Sequence, residues 1–209
     1  MTSVHGQRAA LITALANCVT SPTLVNPFAE ISSEHDLTGA AAIRHTNLDA
    51  YLAARSRPIA LLVGEAMGWR GGRFSGIAFT SERQLRGWGL PYAASSHNPA
   101  GWAESSATII HSVLNEFDLE LQVALWNTVP FHPHPPGQPL ANRAPRRDEV
   151  ALGLPLLDQA IALLRPQQIV AIGRVAERTL GDRATTSVRH PSHGGASACR
   201  DGLRRLLAN

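Results

Sequence analysis

Three short runs dense in Val, Ile and Leu constrain this chain more than anything else in it: Ile59 to Val63, Leu121 to Trp126 and Gln168 to Ile172. Their apolar residues are continuous. A strand with one wet face alternates apolar and polar side chains, whereas a strand buried on both faces does not, so these runs read as strands of a covered parallel sheet. A shorter fourth strand is expected over Thr185 to Val188. Between them, apolar residues recur every three to four positions over Asp36 to Ala54, Trp102 to Phe117, Asp148 to Leu164, Val175 to Leu180 and Ala196 to Leu207. Strands alternating with helices define an α/β fold, a parallel sheet with helices on both faces. No internal repeat or low-complexity linker interrupts the 209 residues, so one domain over 1–209 is expected.

Composition narrows the chemistry. A net charge of +3 suits a polyanionic partner without specifying one. All 19 basic residues are Arg, so no lysine amine exists to form a Schiff base, and only the terminal amine remains. Cys18 and Cys199 lie far apart with no CxxC partner, which argues against thiolate-held zinc or an iron–sulfur cluster and for two buried free thiols in a reducing cytoplasm. No cofactor or metal is expected. The apolar stretch Ala9 to Val19 is interrupted by Thr13 and Asn17 and reads as an amphipathic first helix rather than a signal core. No run approaches transmembrane length, so a cytoplasmic protein without a membrane partner is expected.

The unusual composition sits in the loops. Residues 64–78 are glycine-rich and carry Arg70 and Arg73, which reads as a flexible basic loop; residues 128–147 hold six Pro, two His and three Arg. In an open α/β sheet such loops gather at the carboxyl ends of the strands, where ligands bind.

Three segments at those ends carry different chemical tools. Gly64-Glu65-Ala66-Met67-Gly68 puts an acid beside a turn whose glycines let backbone approach a ligand closely. It lacks the Lys of a phosphate-binding Walker loop and the spacing of a dinucleotide fingerprint. Phe79 follows shortly after, and Ser81 with Gln84 resembles a capping box that starts a helix there. Asn127, expected to close the second strand, offers a carboxamide whose donor and acceptor match O4 and N3–H of uracil; cytosine presents the opposite polarity. Alone it would read as a turn former. His190 precedes Pro191-Ser192-His193-Gly194-Gly195, where an imidazole can hydrogen-bond to an oxygen that gains charge as a bond breaks.

Taken together, these residues resemble the uracil-DNA glycosylase superfamily, in particular its Gly-Glu-Ala-Pro-Gly branch. Four motifs carry the resemblance in register: Gly64 to Gly68, Gly76 to Phe79, Asn127 with Asn142-Arg143-Ala144-Pro145 after it, and His190 to Ser192. The similarity spans about residues 58–207 and implies a three-layer α/β/α sandwich with a central parallel sheet. It also implies an enzyme that extrudes uracil from single- or double-stranded DNA and hydrolyses its N-glycosidic bond, acting as a monomer. By the resemblance, Phe79 stacks on the base, Asn127 reads its edge and His190 stabilises the departing anion at O2. Glu65 holds the attacking water, and backbone around Ala66 and Met67 lines the pocket. Ser192, His193, Gly194 and Arg143 contact DNA.

The chain departs from the branch at several points. Met67 and Ala78 replace prolines, the iron–sulfur cysteines are missing, and His193-Gly194-Gly195 stands where an apolar wedge is usual. Trp69 is a candidate for crowding the 5-methyl group of thymine. Two alternatives stay open: a relative that binds uracil or abasic DNA without turnover, and a glycosylase for deaminated purines. A covalent trap would draw on His132 or His134, which read more simply as two histidines among prolines in an exposed loop.

Overall fold

The structure, a computed structural model, describes residues 3–208. Helix α1 (Val4–Ala16) leads to the two-residue strand β1 (Leu24–Val25) and to α2 (Ala40–Ala53). Strand β2 (Ala60–Ala66) runs into the glycine-rich turn, the one-turn helix α3 (Gly72–Ser75), α4 (Glu82–Trp88) and α5 (Ser105–Glu116). Then come β3 (Val123–Val129), β4 (His132–Pro133), α6 (Arg147–Leu164), β5 (Ile169–Ile172), α7 (Arg174–Leu180), β6 (Thr186–Val188) and α8 (Ala196–Leu207).

The main sheet has the order β3-β2-β5-β6, with every pair parallel. Its two central strands are buried along most of their length: Leu61, Leu62, Val63, Val170, Ala171 and Ile172 are all fully enclosed, while Ile59 and Ile169 at the entry to each run are partly buried. Helix α6 packs on β3, α7 on β5 and β2, and α8 on β6 and α5, while α1 bridges α2 and α6. The helices do this through single stripes. In α8 the buried residues are Cys199, Leu203 and Leu207, spaced four apart on one face. Helix α4 starts at the predicted capping box, in which the Ser81 N–H donates to Gln84 Oε1 at 3.0 Å.

Several boundaries differ from the apolar pattern. Strand β2 continues past Val63 to Ala66 and β3 past Trp126 to Val129, because backbone pairing goes on after the apolar run stops: Gly64 pairs with Asn127 and Ala66 with Val129. Asn127 is therefore an interior strand residue, not a strand-closing turn former. The first helix covers Val4–Ala16 rather than Ala9 to Val19, ending at the Asn17 cap. Helix α2 begins only at Ala40, after Gly39 in the left-handed region (φ 78°). Asp36 is left outside it as the hub of a buried ion cluster. Its Oδ1 accepts from Arg44 Nη1 at 3.2 Å and Arg73 Nη1 at 3.0 Å, and its Oδ2 from Arg73 Nη2 at 2.8 Å.

That cluster corrects the picture of a flexible basic loop over 64–78. Arg73 is buried and tied to Asp36, and only Arg70 of the pair is exposed. The second loop is also more ordered than its prolines suggest, since β4 pairs antiparallel with β1. His132 and His134 are thereby buried, not exposed: His132 is 0 % accessible and His134 6 %. The two ring nitrogens of His132 face the carbonyls of Met67 at 2.9 Å and Pro139 at 3.0 Å. Burial pushes its pKa down to about 4, so the ring is neutral at pH 7 and can donate to one of those carbonyls only. Enclosed in this way, neither histidine is placed to act as an external nucleophile. Cys199 is buried as expected, but Cys18 is only partly so.

Candidate functional site

Extending β2 and β3 past their apolar runs puts Glu65 and Asn127 on adjacent strands of the sheet. At this end a cavity of 520 Å³ opens, walled by Glu65 to Arg70, Phe79, Ala103 to Ser106, Asn142 to Ala144 and His190 to His193. The first and third motif segments and Phe79 line it, whereas Asn127 does not. A larger cavity of 910 Å³ lies around Trp88, Tyr92, His111 and Leu121, toward the opposite ends of the strands, and none of the motif residues lines it.

Phe79 is buried, with its backbone in the left-handed region at φ 49°. For a bulky side chain that conformation costs on the order of 1–3 kcal/mol, a strain that clusters at binding sites. The neighbouring capping box and the Ser75 hydroxyl, which donates to the Thr80 carbonyl at 2.7 Å, hold the segment in place. The Phe79 ring lies over Gly64: a β-carbon at Gly64 would stand 2.3 Å from Phe79 Cζ and 2.6 Å from Asn127 Oδ1. Glycine at 64 is thus what allows the aromatic ring and the carboxamide to occupy neighbouring space. Asn127 is 2 % exposed and does not line the cavity wall.

His190 is held by its own loop. Its Nδ1 accepts from the Ser192 backbone N–H at 3.1 Å and lies 2.7 Å from the Ser192 hydroxyl. A nitrogen that accepts a backbone N–H carries no proton, so the proton of the neutral ring is on Nε2. Burial, reinforced by Arg189 and His193, pushes the pKa down to about 4. The ring is therefore a neutral Nε2–H donor at physiological pH. It packs 6.0 Å from the Phe79 ring, centre to centre. A β-carbon on Gly173, at the end of β5, would come within 2.9 Å of His190 Cβ. Sequence reasoning missed this support, because a glycine between a strand and a helix looks like any other connection.

Glu65 lies within β2 and is partly buried. Burial raises its carboxyl pKa, and the positive charge of Arg178 only partly opposes this. Ala66, paired with Val129, and Met67 complete this wall. The Met67 backbone is not free to meet a ligand, since its N–H donates to the Phe131 carbonyl at 3.0 Å and its carbonyl faces His132. What Met67 contributes is its side chain.

Arg143 reaches the cavity, but its guanidinium is already taken. It donates to Glu149 and to carbonyls of Thr23, His134 and Ala144, with the Thr23 hydroxyl also in reach, so all five N–H groups have acceptors. In this arrangement the residue braces the loop after β4. Ser192 and His193 are exposed on the cavity wall, and Gly194 is exposed beside them. Trp69 stands edge-on to Trp102, with ring centres 4.9 Å apart, and its backbone N–H donates to Asn142 Oδ1 at 2.9 Å. A second carboxyl, Glu104, also lines the cavity. At the start of α5 it reads in sequence as an ordinary helix-end acid, so no signal marks it. Among the described residues, no group of three or more His, Cys, Asp or Glu could hold a metal ion. No described helix is long and apolar enough to cross a membrane.

A model of the uracil DNA glycosylase superfamily matches residues 53–202. The crystal structure of wild-type SMUG2 from Pedobacter heparinus superposes with a TM-score of 0.66 over 100 % of both chains, at 15 % identity, a likeness of fold. No curated protein matches the chain significantly.

Proposed function

This chain belongs to the uracil DNA glycosylase superfamily, and from that premise we propose that it is a monofunctional glycosylase that hydrolyses the N-glycosidic bond of uracil in DNA. A stacked base is out of reach of any side chain, so the nucleotide is extruded into the 520 Å³ cavity. Phe79 stacks on the uracil ring, and the Asn127 carboxamide, which is enclosed and off the cavity wall, pairs with O4 and N3–H once the neighbouring Phe79 ring shifts to admit the base. As the C1′–N1 bond breaks, its electron pair passes to the base and charge gathers on O2. The Nε2–H of His190 donates to that oxygen. Glu65, ionised, holds a water against C1′ and takes its proton as the water adds, leaving an abasic site.

The observation that carries this reading is the state of His190. A neutral ring whose proton is directed to Nε2 by Ser192 is a preorganised donor for a developing anion, beside an aromatic wall and a carboxyl. The test is a gel assay on labelled oligonucleotides carrying uracil, hypoxanthine or xanthine. Turnover on uracil, with a product cut by alkali, is the expected result. Binding without turnover, or action on the deaminated purines alone, overturns the proposal.

A further inference from the structure

Glu104 is a carboxyl that the mechanism above does not use. It precedes α5 and lines the same cavity as Glu65, Phe79 and His190. The glycine-rich turn is shaped around it: a β-carbon on Gly71 would stand 1.7 Å from Glu104 Oε2, and one on Gly68 would stand 2.8 Å away. Its Oε1 accepts from the Ser106 hydroxyl. Among the described residues no hydrogen bond reaches Oε2 and no cation forms a salt bridge with the group. The other titratable residues bordering the cavity are Glu65, Arg70, Arg143, His190 and His193. Arg143 is taken up by Glu149 and loop carbonyls, Arg70 lies over the Trp69 ring, and His190 is neutral. Burial raises the Glu104 carboxyl pKa, opposed only by the Ser106 hydroxyl.

A second ionised carboxylate would be an odd wall for a cavity that receives a polyanion. A neutral carboxylic acid is a good one, because it carries an O–H donor and no charge. We propose that Glu104, set against Gly68 and Gly71 with its Oε2 unpartnered, enters this cavity as a carboxylic acid and donates a hydrogen bond to an oxygen of the bound nucleotide, making it a further nucleotide-binding residue of the pocket. The acceptor is either a carbonyl of the extruded base or a phosphate oxygen, and the two are separable by experiment. The inference rests on the DNA-glycosylase reading of the cavity.

The test measures affinity of the full chain for two oligonucleotides, neither of which requires turnover. One carries a tetrahydrofuran abasic analogue, and the other carries 2′-fluoro-deoxyuridine, whose glycosidic bond resists cleavage. Glu104→Ala is expected to weaken binding roughly 3- to 10-fold, the size of one neutral hydrogen bond. A loss with both ligands assigns the contact to phosphate; a loss confined to the uracil-bearing one assigns it to the base. Glu104→Gln, which keeps a donor without charge, should lose less than Glu104→Ala. It should also remove the decline in parental affinity that sets in as pH rises through the elevated carboxyl range. Should Glu104→Ala fail to fold, that pH comparison decides alone. Unchanged affinity in both variants, or a Glu104→Gln protein that keeps the parental pH dependence, overturns the proposal. Failure to turn over uracil would instead sink the function above and leave the abasic-analogue result readable.

Discussion

At the scale of single residues, the chemistry depends on protonation states set by surroundings. His190 is neutral above about pH 4 because it is partly buried beside Arg189 and His193, so between pH 5 and 8 the proposed donor does not titrate. Replacing it by Ala removes one preorganised donor and is expected to lower the single-turnover rate about 10²- to 10³-fold while changing DNA affinity far less. Equal losses in rate and affinity would assign His190 to binding instead. Glu65 titrates in the opposite sense. Its pKa is raised by burial, and the proposed reaction uses its carboxylate, so the rate should climb as pH rises through that elevated range. Single-turnover profiles at saturating enzyme should lose this limb in Glu65→Gln. A limb that persists there would show that another group controls it.

At the scale of elements, the ion cluster at Asp36 ties α2 to the glycine-rich turn and α3. Asp36 and Arg44 are fully enclosed and Arg73 nearly so. Burial alone would raise the Asp36 pKa, but Arg73 and Arg44 outweigh it and hold the carboxyl below its ordinary value. A depressed carboxylate contributes its full stability above the unfolded-state pKa of about 3.9 and loses it as pH falls through the lower folded value. Asp36→Ala would leave two buried guanidinium groups without their anion. The expected cost is about 3–5 kcal/mol in urea unfolding at neutral pH. A cost under about 1 kcal/mol would mean the two arginines find other acceptors, for instance the Glu30 and Arg73 carbonyls that Arg44 already reaches.

At the scale of the whole molecule, the absence of lysine limits what can follow base removal. Enzymes that nick the strand at an abasic site do so through an amine that forms a Schiff base with the opened sugar. With 19 arginines and no lysine, this chain has no side-chain amine to offer. The product strand should stay intact until treated with alkali, and borohydride should trap no covalent enzyme–DNA adduct. An adduct that survives blocking of the terminal amine, or strand cleavage without alkali, would contradict this.

The alternation of apolar runs with helical stripes was enough to establish a parallel α/β sheet, because burial on both faces dictates continuous runs in any sequence. Glu65, Phe79 and His190, which stand out in the sequence by local chemistry, do line one cavity, whereas Asn127 is enclosed beside Gly64 and does not line it. Strand ends were not legible: β2 and β3 go on through Ala66 and Val129 because their backbones stay paired after the side chains cease to be apolar. The same holds for Arg143, whose sequence position suggests a phosphate contact but whose guanidinium meets Glu149, Thr23, His134 and Ala144 only once distant segments are brought together. Burial of His132, the fit of Glu104 against Gly68 and Gly71, and the support of His190 by Gly173 likewise arise between residues remote in the chain. Residue type and local spacing decide which groups are available. Which of them keep a free donor or a shifted proton is decided by neighbours that only the tertiary structure supplies.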